Sequence, residues 1–202
     1  MLMMTHARAL SSWLVAAMLL ASSCGNSGTN HASDSVDSAG NLNRTKFDTS
    51  ATSMNTADLL VSLYATGLYD QQASVAVGKH KAPRPVAALA TQIGNAQTSM
   101  NTGIAGLAEK KHVSLPQTLS EDQHKQLQGM IQPGGIEMGR SYVRQITNDQ
   151  KQMLVTLQQA AQSNDTDVIH WAEDATARIQ EMADKTGKVQ RYLDSVPLGR
   201  NH

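Results

Sequence analysis

The chain has 202 residues, with 17 lysine plus arginine residues, 17 aspartate plus glutamate residues and a formal net charge of zero. This length suggests one or two domains, and a neutral chain without a basic block argues against nucleic acid as a partner. Phe, Trp and Tyr make up 3% of the residues, too few for platforms that stack on single-stranded nucleic acids. The single cysteine excludes an internal disulfide framework and any zinc site with two or more thiolates.

Residues 1–23 have the pattern of a signal peptide that directs export. Arg8 provides a short positive region, and the mainly apolar stretch from Ala9 to Ala21 is shorter than the roughly 20 residues that a membrane-spanning helix needs. Small residues then lead directly to Cys24. This arrangement resembles a bacterial lipoprotein signal, in which the cysteine is lipidated, although Ala21 stands where leucine is usual.

Cys24 is therefore the predicted lipidation site, and a membrane, reached through this lipid anchor, is the predicted partner. Gly25 follows the cysteine instead of aspartate. By resemblance to the enterobacterial sorting rule, this favours an outer-membrane lipoprotein that faces the periplasm. The alternative is an ordinary secretory signal followed by an incidental free thiol.

The segment 24–54 is rich in Gly, Ser, Thr, Asn and Asp and has few apolar residues. Such a segment cannot bury enough surface to offset the conformational entropy lost on ordering. The sequence therefore predicts a disordered tether between the lipid and a folded domain that begins at residue 55.

From residue 55 to residue 196 the apolar residues recur at helical spacing. A first helix is predicted to end near Lys79, before the segment KAPRP at 81–85, because proline cannot continue a helix. A second helix starts near Pro85 and closes at Lys110, Lys111 and His112, whose positive charge suits a helix C-terminus. The predicted inward side of the first helix contains Leu60, Tyr64, Leu68 and Val75.

The second half of the domain repeats this hairpin pattern. Ser120 and Gln123 form the S-x-x-Q signature of a capping box and predict a short helix, which ends at the Pro-Gly-Gly sequence of residues 133–135. Long helices are predicted over about 136–162 and 166–195, followed by a short tail at 197–202. Four long helices with apolar stripes predict an all-α four-helix bundle made of two hairpins, with the short helix in the long connection.

Two sequence stretches resemble a family of bacterial exported proteins called domain of unknown function 4142. The run VAALATQIGNAQTSMNTGIAGLAEKKHVSLP, at 86–116, is similar to a family helix that reads V-x-x-F-A, carries an Asp-His pair and ends before a Gly-Val-x-Leu-Pro-like loop. MGRSY, at 138–142, is similar to the family's Phe-Asp-x-x-Tyr opening of the third helix. The resemblance covers about residues 56–193 and implies a ferritin-like bundle.

The chain departs from the family pattern at its most chemical positions. Gln97 and Gln150 stand where the resemblance implies the histidines of two Asp-His pairs, and Met182 stands where it implies a histidine on the last helix. Periodicity places both glutamines on inward stripes, between Ile93 and Met100 and between Ile146 and Met153 respectively. We expect a hydrogen-bonded polar plug, with each glutamine bonded to the other, to Asp149, to a tyrosine or to water, and with no metal site and no cofactor. The alternative places both glutamines at the stripe edge, where they reach solvent.

Other candidate sites are weaker. Glu121 and His124 have the E-x-x-H spacing of di-iron bundles but open the short helix, and His170, Glu173 and Asp174 are predicted to lie in solvent. No nucleophile elbow, phosphate loop or H-E-x-x-H motif is present in the sequence. The chain is therefore expected to be a non-catalytic binding or envelope-stress module; the alternatives are a ferritin-like metal or redox protein and a structural envelope or adhesion protein.

Overall fold

A computed structural model describes residues 35–47 and 51–197 of the chain. These residues form α-helices and no strand. In chain order the helices are α1 (Val36–Lys46), α2 (Ala51–Lys79), α3 (Arg84–Lys110), α4 (Glu121–Ile131), α5 (Gly135–Ala160) and α6 (Thr166–Ser195).

The four long helices form the predicted bundle. Helix α2 packs against α3 and α5, and α6 packs against the same two helices, so the order around the bundle is α2–α3–α6–α5. Helices α2 and α3 form one hairpin, α5 and α6 form the other, and α4 lies in the connection against α2 and α5. The all-α class is confirmed, and the arrangement is consistent with a ferritin-like bundle.

Local sequence signals explain several helix ends. The Ser120 side chain accepts from the Gln123 backbone N–H at 3.2 Å while the Gln123 side chain accepts from the Ser120 N–H at 3.0 Å, so the predicted capping box is present. Asp165 caps α6 by accepting from the backbone N–H of Val168 at 3.3 Å. Gly134 and Gly135 have φ values of 64° and 52°, a backbone region that glycine enters without steric cost, and they turn the chain from α4 into α5.

Helix α1 corrects the prediction of a disordered tether over 24–54. It lies within that segment and packs against α2. Asn43 is fully buried, and its side chain makes two hydrogen bonds with the backbone of Ser114, as donor at 3.0 Å and as acceptor at 2.7 Å. Lys46 donates to the Ser114 hydroxyl at 2.7 Å. Polar tertiary contacts, which composition does not reveal, therefore order residues 36–46 of this polar segment.

Helix α2 begins at Ala51, four residues before the predicted start, and its buried side agrees with the prediction at Leu60 but not at Val75. Val75, expected inside, is 51% exposed. The buried side also includes Leu63, Asp70 and Val77, which are spaced by seven residues. The prediction was wrong at Val75 because several adjacent apolar residues, Leu59, Leu60 and Val61 among them, leave more than one stripe possible.

The interior of the bundle contains two apolar clusters. The first includes Val77, Ile93, Tyr142, Met182 and Leu193 and extends towards the α4 end of the bundle. The second surrounds Leu60, Ile104, Met153, Leu157 and Ile179. On α3 and α5, polar buried residues lie between the residues that belong to the two clusters. On α2, Asp70 lies among the residues of the first cluster, next to Tyr69, and these polar residues together form the candidate site.

Candidate functional site

A layer of polar side chains crosses the middle of the bundle. We define the central polar layer as Asp70 of α2, Gln97 of α3, Asp149 and Gln150 of α5 and Thr186 of α6. All except Asp149 are at most 2% exposed. Burying a polar group without a partner costs about 1–3 kcal/mol, so the hydrogen bonds of this layer determine whether it stabilises the fold.

Gln97 joins α3 to α2. Its Nε2 donates to Oδ2 of Asp70 at 3.0 Å and lies 3.6 Å from the sulfur of Met153. Its Oε1 is buried and has no hydrogen-bond partner among the described residues. The glutamine is therefore an inward group held by a carboxyl group, and the alternative of a solvent-reaching side chain at the stripe edge does not describe it.

Asp70 and Asp149 form a carboxyl pair. Burial, followed by the nearby Asp149 carboxyl, raises the pKa of Asp70 well above its usual value. Burial also raises the pKa of Asp149, although hydrogen bonds from Gln145 and Asp70 oppose this rise. The two carboxyl groups lie within hydrogen-bonding reach, but two carboxylates have no proton to donate, so Oδ1 of Asp70 has no partner when both are ionised. A proton on Asp70 would provide this donor, and the raised pKa of Asp70 favours that arrangement.

A hydrogen-bond chain links this pair to the surface. Gln126 of α4 donates to Oε1 of Gln145 at 2.7 Å, and Nε2 of Gln145 donates to Oδ2 of Asp149 at 2.8 Å. Tyr69, next to Asp70 in sequence, has a buried hydroxyl that bonds to no residue described by the structure, and burial and the two aspartates raise its pKa to about 12. Tyr69, Gln126 and Gln145 line a cavity of about 210 Å³ on this side of the bundle.

A second branch of buried polar bonds lies beside the pair. The hydroxyls of Ser74 and Tyr142 are 2.8 Å apart, and the Ser74 hydroxyl also bonds the backbone carbonyl of Asp70 at 2.7 Å. Burial raises the pKa of Tyr142. Both tyrosines therefore remain protonated at neutral pH and serve as hydrogen-bonding groups within the fold.

Gln150 and Met182 lie on the α5–α6 side of the layer. Nε2 of Gln150 donates to the Thr186 hydroxyl at 3.1 Å, and that hydroxyl donates to the Met182 carbonyl at 2.9 Å. Both side chains are buried, Met182 with 8% exposure. No hydrogen bond in the described part of the chain joins Gln150 to Gln97. The expected direct contacts with each other, with Asp149 or with a tyrosine are therefore replaced by contacts with Asp70 and Thr186.

The three positions do not fit the metal site that the family histidines would imply. Two amides and a thioether are poor ligands for iron, zinc or manganese, and the amide Nε2 groups already donate within the bundle. Within residues 35–47 and 51–197, no group of three or more His, Cys, Asp and Glu residues is placed to hold a metal ion. His170 lies 3.7 Å from Glu173 with both side chains largely exposed, and Glu121 pairs with Lys125 at 2.7 Å on the surface.

Asp70 is the central residue that the sequence does not single out. The seven-residue spacing of Leu63, Asp70 and Val77 places it on the buried side and is the signal that identifies it. Cys24 lies outside the described residues. Among the described residues, no helix has the length and apolarity needed to cross a membrane.

A large groove runs between α5 and α6 and has a volume of about 860 Å³. Its α5 wall runs from Arg140 to Leu154, about 21 Å at a rise of 1.5 Å per residue. Its α6 wall includes Ala183 and Gly187, whose small size leaves the space open. A Cβ atom added at Gly187 would meet only a guanidinium nitrogen of Arg191, at 3.7 Å. Gln150 also lines the groove, so the groove reaches the central polar layer.

The charge of the groove is mainly positive. Arg140, Arg144 and Lys151 line it, with Asp194 as the acidic residue. Arg140 is engaged, because its guanidinium donates to backbone carbonyls at the C-terminal end of α6 at 3.0 and 2.7 Å. Arg144 and Lys151 are in no ion pair with any residue that the structure describes.

The fold and this interior define an all-α helical bundle with a buried polar layer and one large interhelical groove among its described surfaces. A family model described as Domain of unknown function (DUF4142) matches residues 42–189. The chain therefore belongs to this family. Comparison with curated proteins and comparison with solved structures gave no match.

Proposed function

We propose that the protein is an exported, lipid-anchored module that binds a ligand in the α5–α6 groove and has no catalytic activity of its own. The observation that carries this proposal is the groove, because its volume of about 860 Å³ lies within the range of small-molecule sites, roughly 300–1,000 Å³. The hydrogen bonds of the central polar layer support a structural role for that layer, because they join α2 to α3 and α5 to α6.

Export and anchoring rest on the sequence of residues 1–25. The apolar stretch, the small residues and Cys24 support processing by lipidation, and Gly25 supports an outer-membrane lipoprotein that faces the periplasm. We expect mass spectrometry of the mature N-terminus to find a lipidated Cys24 as the first residue. We also expect Cys24→Ser to release the protein from membranes. An unmodified Cys24, or cleavage at another residue, would contradict this part of the proposal.

Binding is tested by thermal denaturation of the full chain against a chemically diverse panel of small molecules. A ligand that occupies the groove stabilises the native state and raises the melting temperature. Gly187→Leu places a side chain in the groove and should remove the shift. Gly106→Leu is the matched control, because Gly106 is also a helical glycine but has open space around its Cβ position and does not line the groove. A panel without any groove-dependent shift would refute the proposal.

A further inference from the structure

We propose that the groove between α5 and α6 binds a single-chain amphiphile with an anionic head group, such as a long-chain carboxylate. This inference rests on the proposed function and specifies the ligand class of the same site. Its two elements are a pair of cations on α5 that are in no described ion pair and an elongated channel with small residues on its α6 wall.

The position of the cations selects an anionic head group. Arg144 is exposed, and its only described side-chain hydrogen bond is with the Ser141 hydroxyl at 3.5 Å. Lys151 has no described hydrogen-bond or ion-pair partner. The two residues are separated by two helical turns on the same wall, with Thr147 between them as an additional hydroxyl. A carboxylate or phosphate in this part of the groove gains charge-assisted hydrogen bonds, whereas a cationic group is repelled.

The rest of the groove suits an apolar tail. Leu154 and Ala183 line the end that is farther from Arg144, and the missing side chain at Gly187 opens the channel between the helices. The α5 wall rises about 15 Å from Arg144 to Leu154, a length that accommodates an extended acyl chain whose head group lies at the Arg144 end. Removing aliphatic carbon from water favours binding in proportion to the length of chain that is buried. The affinity should therefore depend on both the chain length and the charge of the ligand.

The acidic groups near the groove leave this preference intact. Asp194 accepts from Gln190 at 2.7 Å, and Glu137 lies 3.7 Å from the guanidinium of Arg140. Each acid is therefore paired with a polar or cationic neighbour, and Arg144 and Lys151 remain available for an external anion.

Calorimetric titration of the full chain carrying Cys24→Ser, purified without detergent, tests the ligand class. The probe is dodecanoate below its micelle-forming concentration, compared with dodecyl maltoside and dodecyltrimethylammonium, which carry the same chain with neutral and cationic heads. We expect one dodecanoate per chain and an affinity about tenfold or more above that of either other probe. Shorter carboxylates should bind about fourfold more weakly for each methylene that no longer enters the groove.

Variants localise the site. Gly187→Leu should abolish dodecanoate binding, and Gly106→Leu should leave it unchanged. The double variant Arg144→Gln with Lys151→Gln should weaken binding about tenfold and reduce its salt dependence. The double variant Lys79→Gln with Lys81→Gln removes the same charge away from the groove and should bind like the unaltered chain.

Several results would overturn the inference. These are equal affinity for the neutral probe, equal affinity for butanoate, and dodecanoate binding that survives Gly187→Leu. If the chain forms a dimer that Gly187→Leu abolishes, the occupant of the groove is a second copy of the chain. If a chain that ends at Pro197 binds dodecanoate much more tightly than the full chain, the occupant is the segment 198–202. If the chain binds anionic phosphatidylglycerol vesicles through the groove but does not bind dodecanoate, the groove is a contact surface for a membrane.

The two proposals fail in different ways. If the thermal panel finds a groove ligand that is polar, neutral or cationic, the ligand class is wrong and the binding module remains. If the panel finds no groove-dependent ligand and dodecanoate does not bind, both proposals are refuted.

Discussion

Replacing Asp70 with asparagine should change how the stability of the bundle depends on pH. Burial first, and the neighbouring Asp149 second, raise the pKa of Asp70 well above the ordinary value of 3.8. In the unfolded chain the carboxyl returns to its ordinary value. As the pH rises above about 4, the unfolded chain loses a proton that the folded chain retains, so the free energy of unfolding falls until the folded-state carboxyl also ionises.

The size of the effect follows from linkage. A difference of one bound proton between the two states changes the free energy of unfolding by about 1.4 kcal/mol per pH unit. Asparagine has a similar shape, its amide can donate to Asp149, and its oxygen can accept from Gln97, but it does not titrate. The stability of Asp70→Asn relative to the unaltered chain should therefore rise by about 1 kcal/mol between about pH 4.5 and about pH 5.5.

Urea denaturation followed by circular dichroism, at a series of pH values, measures this difference. Exposed carboxyl groups such as Glu121 and Glu181, whose pKa values are lowered by hydrogen bonds from Lys125 and Lys185, are present in both proteins and cancel in the comparison. Asp58→Asn, at an exposed aspartate of the same helix, is the control and should show a much smaller pH dependence. If the stability of Asp70→Asn relative to the unaltered chain is constant with pH, or falls as the pH rises, the folded chain does not retain a proton on Asp70 and the reasoning is refuted.

Three further predictions concern the capping box of α4, the packing of α1 and the three positions where the family resemblance implies histidine. Ser120→Ala should cost about 1 kcal/mol in chemical denaturation by removing a capping-box partner, and no loss would contradict this role. Asn43→Ala should cost about 2 kcal/mol and speed amide hydrogen exchange in α1 by leaving the Ser114 backbone groups without their partner, whereas unchanged exchange would contradict docking. Elemental analysis should find no stoichiometric iron, zinc, copper or manganese, and the triple variant Gln97→His, Gln150→His, Met182→His should bind zinc at least about tenfold more tightly if the three positions converge. Stoichiometric metal in the unaltered chain would contradict the loss of the site, and unchanged zinc affinity in the triple variant would contradict convergence.

The predicted helix ends agree with the structure where the signal is local. Ser120 and Gln123 are three residues apart, and the glycines that turn the chain into α5 directly follow Pro133. Such signals depend on backbone groups within a few residues and are readable from one sequence. The inward positions of the second and third long helices are readable for a similar reason, because a single apolar stripe on each defines the buried side.

The features that the sequence does not predict depend on contacts between residues that are far apart in the chain. Helix α1 is held by Asn43 and Ser114, which are 71 positions apart, and composition contains no trace of that contact. Asp70 and Asp149 meet across two helices, and only the three-dimensional packing of α2 on α5 shows that one carboxyl stabilises the other's proton. The groove likewise depends on how Gly187 faces the α5 wall, which periodicity alone does not determine.

Native mass spectrometry of the full chain, gently purified from the cells that produce it, tests most directly whether the α5–α6 groove is a binding site. We predict that a small anionic molecule with an apolar chain is retained on the unaltered protein and on Gly106→Leu and is absent from Gly187→Leu. The same bound molecule on all three proteins would contradict the groove as its site, and an unaltered protein that carries nothing would contradict the proposed binding function.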